Sequence, residues 1–132
     1  MTQQQEGERQ IRSLIEAWAN AAKRHDMAGV LAHHTPDIVM FDLPMPLQSK
    51  GMADYRKTWD QFFSSHISGQ TFDVEEITIT AGQDVAFAHA IMRCVPTAAP
   101  GGFQFRLTVG LRKVDGAWWV THEHHSEPAA DS

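Results

Sequence analysis

Apolar residues recur at helical spacing in the first half of the chain. Between residues 8 and 25 they lie on one side of an amphipathic helix, at Ile11, Leu14, Ile15, Trp18, Ala19 and Ala22. Asp26 is a suitable N-cap for a second, short helix over residues 27–34, which Pro36 ends. Gly51 then precedes a third helix over residues 52–63, whose apolar face carries Met52, Tyr55, Trp59, Phe62 and Phe63. The first half of the sequence therefore predicts three helices.

After Gly69 the pattern changes to alternation of apolar and polar residues, which is typical of strands. Strands are predicted from residue 72 to 79 and over residues 85–95, 103–114 and 118–126, with a short hairpin at Asp115-Gly116. A short strand over residues 38–42 ends before Pro44 and Pro46, which lack the backbone donor that a sheet needs. Helices followed by a strand meander predict an α+β fold with the helices on one face of an antiparallel sheet.

The last strand carries the most informative polar residues. Because successive strand side chains point to opposite faces, His122 and His124 are predicted to share a face with Trp118 and Val120. Two imidazoles in line with apolar residues indicate a polar pocket inside a curved sheet.

Composition and charge narrow the class of protein. The 132 residues, 42% hydrophobic and 20% charged, predict a single domain over residues 1–132 with flexible ends at 1–7 and 128–132. The net charge is −5 and basic residues form no cluster, so a nucleic-acid or anionic-membrane partner is not expected. Without a signal segment or a membrane-spanning run, a cytoplasmic protein is expected. Cys94, the only cysteine, is predicted to be a buried, inert thiol.

Three segments carry a family resemblance: D-M-x-G-V-L at residues 26–31, V-M-F-D-x-P at 39–44 and D-G-x-W-x-V-x-H-E-H at 115–124. With the order of elements, they resemble the nuclear-transport-factor-2-like superfamily, and within it the SnoaL-like group of ketosteroid isomerases and polyketide cyclases. The resemblance covers nearly the whole chain. It implies a cystatin-like cone, in which a strongly curved antiparallel sheet wraps around a long N-terminal helix with two shorter helices. The fold hosts isomerases, dehydratases, cyclases, epoxide hydrolases and binding modules, so it does not fix the function.

Ketosteroid isomerases supply a comparison at the level of single residues. Their general-base aspartate lies nine residues before the glycine that opens the third helix, and Asp42 and Gly51 keep this spacing. Their oxyanion-hole tyrosine corresponds to Trp18, and their second oxyanion donor corresponds to Val109. The base is therefore retained and both oxyanion donors are changed, which argues against steroid isomerisation itself.

The same ungapped comparison places His89 and Arg93 on the pocket side, opposite the last strand. The resulting prediction assigns catalysis to Asp42, His122 and His89. It assigns ligand binding to Trp18, Trp59, Phe63, Arg93, Val109, Val120 and His124. Neither a metal ion nor an organic cofactor is predicted, because the H-E-H-H run would need a third ligand from elsewhere.

Structural interpretations compete with each of these assignments. Asp42 also suits a turn before Pro44, and the histidines also suit hydrogen-bonded positions in a sheet. Arg93 is equally compatible with a structural ion pair. His33 and His34 are expected to close the second helix and face solvent.

The outer face of the predicted sheet mixes polar and aromatic residues. It carries Arg106, Thr108, Arg112, Trp119, Thr121, Glu123 and His125. Arginine beside tryptophan is typical of a subunit interface, so a homodimer is predicted.

Three functions remain open from the sequence. The first is cofactor-independent isomerisation, dehydration or cyclisation of a hydrophobic carbonyl compound, with Asp42 as the base. The second is a binding domain for a hydrophobic small molecule. The third is an epoxide-hydrolase-like reaction that uses Asp42 with Arg93.

Overall fold

The computed structural model describes residues 1–95 and 101–130, and its first element is a long helix, α1 (Gln3–Lys23). The Thr2 hydroxyl accepts a hydrogen bond from the Gln5 N–H (3.1 Å), and the Gln5 side chain accepts one from the Thr2 N–H (2.9 Å). This capping box begins the helix well before residue 8, so most of the segment predicted to be flexible at residues 1–7 is helical. At the other end, residues 128–130 have no regular structure, and 131–132 lie outside the described residues.

Two shorter helices follow. The first, α2 (Met27–Leu31), is capped by Asp26, whose carboxylate accepts a hydrogen bond from the Gly29 N–H. It is shorter than predicted, because the chain already enters strand β1 (His34–Phe41) at His34. The third helix, α3 (Met52–Ser65), begins as predicted after a glycine, which here has φ +86°.

The strands form one six-stranded sheet in the order β2-β1-β6-β5-β4-β3. Four long strands make the predicted antiparallel meander: β3 (Phe72–Ala81), β4 (Val85–Cys94), β5 (Phe103–Val114) and β6 (Ala117–Ser126). The short strand β2 (Ser49–Lys50) was not predicted, and it pairs antiparallel with β1. Strand β1 pairs with β6 in parallel, which the sequence did not indicate, because a long stretch of chain separates these two strands.

The core lies between the helices and one face of the sheet. Buried α1 residues such as Ile11, Ile15 and Trp18 belong to the same apolar cluster as Leu107 and Val109 of β5. The predicted α+β fold is confirmed. Within residues 1–95 and 101–130, no helix is long and apolar enough to cross a membrane.

Candidate functional site

A cavity of about 550 Å³ lies between α3, the inner face of the sheet and the segment that follows β1. Its apolar wall includes Met40, Leu43, Pro44, Met45, Trp59, Phe62, Phe72, Cys94, Phe103 and Phe105. Its polar lining consists of Asp42, Thr58, Gln61, Ser65, His125 and Glu127. An aromatic cavity with a small number of polar groups is the usual form of a small-molecule site.

A β-bulge in β6 determines which polar side chains reach the interior. The register of β6 against β5 shifts next to Gly110, which leaves Thr121 as an extra residue on β6. Before the bulge Val120 is buried on the inner face, and after it Glu123 and His125 are buried there. One extra residue therefore exchanges the inward and outward positions for the second half of the strand.

Glu123 is the centre of a buried polar cluster. Its Oε2 accepts a hydrogen bond from the Tyr55 hydroxyl (2.7 Å) and lies 2.6 Å from Nε2 of His34, while its Oε1 lies 3.0 Å from Nε2 of His125. The Glu123 and His34 side chains are only 2% and 1% exposed. A carboxylate so deeply buried needs several donors, and this one has three.

The hydrogen bonds of His34 constrain where its protons lie. Its Nδ1 lies 2.8 Å from the carbonyl oxygen of Ala32, which can only accept, so this nitrogen carries a proton. Its Nε2 lies 2.6 Å from Oε2 of Glu123 and 3.0 Å from the Tyr55 hydroxyl oxygen, so both ring nitrogens have polar partners inside the protein.

His125 connects this cluster to the cavity. Its ring lies between two carboxylates, with Nε2 3.0 Å from Glu123 and Nδ1 3.4 Å from Oδ1 of Asp42. Burial alone would lower the pKa of His125, but the hydrogen bonds and negative charges of Asp42 and Glu123 outweigh it and raise the pKa to about 9. His125 is therefore an imidazolium at neutral pH.

Both carboxylates beside His125 remain ionised. Burial would raise the pKa of Asp42, but the hydrogen bond and charge of His125 and the Leu43 N–H, 2.8 Å from Oδ1, hold it below its ordinary value. Burial also opposes ionisation of Glu123, yet its bonds to His125 and His34 lower its pKa to about 2. The polar end of the cavity is thus an ionised Asp42 backed by a buried, charged network.

Tyr55 and Trp18 complete the cluster from the helices. The indole N–H of Trp18 donates to the Tyr55 hydroxyl (3.1 Å), which in turn donates to Glu123. Burial and the charge of Glu123 raise the pKa of Tyr55 well above its ordinary value, so the phenol stays protonated. Both donors are engaged inside the protein rather than presented to the cavity.

The predicted placement of His122 and His124 in the cavity is wrong, because the bulge at Thr121 reverses their orientation. His122 is half-buried, and its Nδ1–H donates to the Val39 carbonyl oxygen (2.6 Å). His124 is exposed. The residue that faces Asp42 is His125, which the sequence placed on the outer face.

His89 and Arg93 are also on the outer face, contrary to prediction. His89 is exposed, and Arg93 lies within hydrogen-bond distance of the Glu75 carboxylate (3.4 Å) and the Gly101 carbonyl oxygen (3.2 Å). The inner face of β4 carries Ala88, Ala90, Met92 and Cys94. The ungapped comparison was therefore out of register on this strand. The alternation of residues in the sequence already indicated that one face of β4 is wholly apolar, which is the face that packs inward.

The remaining predicted residues lie in or near the cavity. Trp59 and Asp42 line it. Val109 and Val120 are buried in the adjoining core, and Phe63 packs against His25 with ring centroids 4.5 Å apart, outside the cavity lining. The functional roles assigned to these residues stay predictions.

Four residues of the cluster were missed from the sequence: His34, Tyr55, Glu123 and His125. One signal could have found the last two, because Gly110 interrupts an otherwise continuous strand, and glycine within a strand often marks a bulge. His34 was expected in solvent because the second helix was extended too far. The structure instead buries it, with 3% of its surface exposed.

Within residues 1–95 and 101–130, no group of three or more histidine, cysteine, aspartate or glutamate side chains is arranged to hold a metal ion. Cys94 lines the cavity, but burial raises its pKa to about 11, so its thiol is protonated at neutral pH.

A six-stranded curved sheet packed against one long and two short helices is the fold of the nuclear-transport-factor-2-like class. Residues 11–130 match the SnoaL-like domain family, and the chain belongs to that family. None of the curated proteins that were compared matches the chain.

Solved structures agree with this assignment. A nuclear-transport-factor-2-like protein of unknown function from Pseudomonas putida KT2440 is 36% identical, with a TM-score of 0.87 over 94% of this chain and 88% of that one. A ketosteroid isomerase-like protein from Erwinia carotovora atroseptica SCRI1043 is 20% identical, with a TM-score of 0.74 over 92% and 95% of the two chains. A protein with a cystatin-like fold from Nostoc punctiforme PCC 73102 is 15% identical, with a TM-score of 0.78 over 92% of each chain. The last two likenesses show the fold alone.

Proposed function

We propose that the protein is a cofactor-independent enzyme that performs acid–base chemistry on a hydrophobic carbonyl compound in the aromatic cavity. Asp42 removes a proton from the carbon next to the carbonyl group, and the electrons of that C–H bond form an enolate. Return of the proton to another carbon completes an isomerisation. In a dehydration the enolate electrons break the C–O bond at the next carbon, and the hydroxide takes the proton held by Asp42 and leaves as water. The observation that carries the proposal is the position of Asp42, which lines the cavity 3.4 Å from the buried ring of His125.

The charge arrangement suits this step. Before the reaction the negative charge of Asp42 balances part of the positive charge of His125, 3.4 Å away. When Asp42 takes the proton it becomes neutral, and the imidazolium is left to stabilise the new negative charge on the substrate. One of the two negative charges beside His125 is therefore removed when the enolate forms, and the other, on Glu123, remains.

The walls of the cavity support a hydrophobic substrate. Phe72, Phe103 and Phe105 line it from the sheet, and Trp59 and Phe62 line it from α3. Aromatic side chains bind flat apolar rings through large contact areas and favourable ring geometry. The carbonyl end of such a substrate would lie toward Asp42 and His125.

The epoxide-hydrolase alternative loses its support, since Arg93 is on the outer face and bonded to Glu75. A purely binding function remains the second candidate. It is favoured by one observation: Trp18 donates to Tyr55 and Tyr55 donates to Glu123, so neither donor is free to stabilise an oxyanion.

The experiment that separates the two functions follows exchange of substrate protons with deuterium oxide by NMR, using a panel of polycyclic ketones. We expect the wild-type protein to catalyse exchange next to the carbonyl group and Asp42→Asn to lose roughly 10²–10⁴-fold of that rate. Asp37→Asn is the matched control, because Asp37 lies on β1 with a 66% exposed side chain, paired with Arg112. Undiminished exchange in Asp42→Asn would refute the catalytic role. Ligand-induced stabilisation without exchange would favour the binding function.

We also propose that two copies associate through the outer face of the sheet. This face exposes Phe87 and Val85, 50% and 62% accessible, and Val85 pairs in the sheet with the basic residue Arg112. Sedimentation analysis tests the proposal, with Phe87→Glu expected to give monomers. A wild-type protein that sediments as a monomer at all concentrations would contradict it.

A further inference from the structure

Glu123 is fully buried, and no step of the proposed reaction uses it. Its carboxylate does not line the cavity, yet it has three side-chain hydrogen-bond partners: His34, Tyr55 and His125. Burying a carboxylate costs several kcal/mol of folding free energy, on the order of the values known for ions in proteins. A buried carboxylate with this cost is expected to have a structural or functional role.

We propose that Glu123 is a positioning residue, which holds the ring of His125 in one orientation and places a negative charge against it, so that Nδ1 faces Asp42 at the cavity wall. The inference rests on the proposed function for the part that concerns Asp42. The orientation of His125 stands on geometry alone, and its charge follows from the two carboxylates beside it.

The first step is the orientation of His125. Glu123 and His125 are two residues apart on the same face of β6, and Oε1 lies 3.0 Å from Nε2. This contact directs the opposite ring nitrogen, Nδ1, toward Asp42. The ring is also stacked on Phe105, with centroids 5.5 Å apart, and its edge meets Trp18 at 6.1 Å. Contacts with Glu123 and these two rings therefore hold the imidazole in one orientation.

The second step is the orientation of Glu123 itself. Tyr55 of α3 and His34 of β1 both bond to Oε2, which leaves Oε1 for His125. The carboxylate thus joins three elements of the fold at one point. It cannot rotate away from His125 without breaking bonds to the other two partners.

The third step is charge. The titratable groups that face Glu123 are His34 from β1, Tyr55 from α3 and His125 from its own strand, with Asp42 beyond His125. Of the two carboxylates at His125, Glu123 is closer (3.0 Å against 3.4 Å) and more buried (2% against 22% exposed). Because attraction between charges is stronger at short distance and away from water, the charge of Glu123 stabilises the imidazolium more than the charge of Asp42 does.

The test is an NMR titration of the His125 side chain, assigned with the help of His124→Gln and followed in the wild type, Glu123→Gln and Asp42→Asn. In the wild type we expect a midpoint near 9, above the ordinary 6.5. Glu123→Gln should lower the midpoint by about 1–3 pH units, and by more than Asp42→Asn does. Glu123→Asp, which keeps the charge, should restore part of the shift. His124→Gln, a change of an exposed neighbour, should leave the midpoint unchanged.

Several outcomes would overturn the inference. One is a wild-type midpoint at or below 6.5, which requires no variant and decides the matter even if Glu123→Gln does not fold. The others are an unchanged midpoint in Glu123→Gln and a larger shift in Asp42→Asn. If Glu123→Gln lowers the midpoint but the wild type exchanges no ketone protons, the positioning of His125 stands and the proposed function fails. If the positioning role and the proposed function are both correct, the exchange rate should begin to fall at a lower pH in Glu123→Gln than in the wild type. The size of this change should match the change in the His125 midpoint.

Discussion

Replacing Tyr55 with phenylalanine removes one oxygen from the centre of the buried cluster. The ring keeps its packing, because it is fully buried and both side chains have the same shape apart from the hydroxyl. The lost atom donates to Glu123 (2.7 Å) and accepts from the indole N–H of Trp18 (3.1 Å). No other oxygen or nitrogen in the described residues is hydrogen-bonded to that indole.

The expected loss of stability follows from these two bonds. A hydrogen bond to a charged acceptor contributes about 1.5–3 kcal/mol, and the orphaned Trp18 N–H adds about 1 kcal/mol or more. We therefore expect Tyr55→Phe to reduce the free energy of unfolding by about 3 kcal/mol. That is a large part of the stability of a domain of this size, which is on the order of 5–15 kcal/mol.

Urea unfolding followed by circular dichroism measures this change, at a pH between 4.5 and 6.5, where Glu123 is ionised and His125 is protonated. Thr80→Val is the matched control, since it removes a hydroxyl from an exposed position on β3 and should change stability by less than about 0.5 kcal/mol. The double variant with Glu123→Gln should show a coupling energy of about 1 kcal/mol or more between the two sites. A Tyr55→Phe variant as stable as the control would refute the reasoning. The hydrogen bonds of the Tyr55 hydroxyl would then stabilise the folded state no more than hydrogen bonds with water stabilise the unfolded state.

Three further predictions concern titration and reactivity. Stability should be greatest between pH 4.5 and 6.5. Because the pKa of Glu123 is lowered to about 2 in the folded state, its contribution to stability is lost as the pH falls from 4.5 toward 2. Because the pKa of His125 is raised to about 9, its contribution is lost as the pH rises from 6.5 through 9. Thermal unfolding across pH checks this, and a maximum above pH 9 would contradict it. Tyr55 is the only tyrosine, so tyrosinate absorbance should appear only when the protein unfolds in alkali, and a native-state transition near pH 10 would disprove the burial argument. Cys94 should react with a thiol reagent far more slowly in the folded protein than in urea, because its buried thiol has a pKa of about 11, and equal rates would count against it.

The fold was largely predictable because its signals are local. Helix α3 follows its glycine, and the hairpin at Asp115-Gly116 joins β5 to β6 as expected. The start of α1 was missed because Thr2 and Gln5 form a capping box in a polar segment that otherwise resembles a frayed end. The parallel pairing of β1 with β6 was missed because it depends on contacts between distant parts of the chain.

The site was predicted less well, and the reason is geometric. Asp42 and Trp59 line the cavity, and each lies at the end of or within an element with a clear pattern, but their roles stay predictions. Glu123 and His125 were assigned to the wrong face because strict alternation was carried through the bulge at Thr121. Strand propensity and the two-residue alternation of side chains predict only a regular strand. The extra residue of a β-bulge is recognised only when the pairing with the neighbouring strand is known.

Thr121 also bears on attempts to transplant this constellation into another scaffold. A designer who copied the acid and the imidazole onto an unbroken ribbon, keeping Val120 inside, would obtain both groups facing solvent. The β-bulge must therefore be transferred together with the side chains. In related sequences, an insertion or deletion near the bulge would change which side chains line the cavity, even if Glu123 and His125 were unchanged.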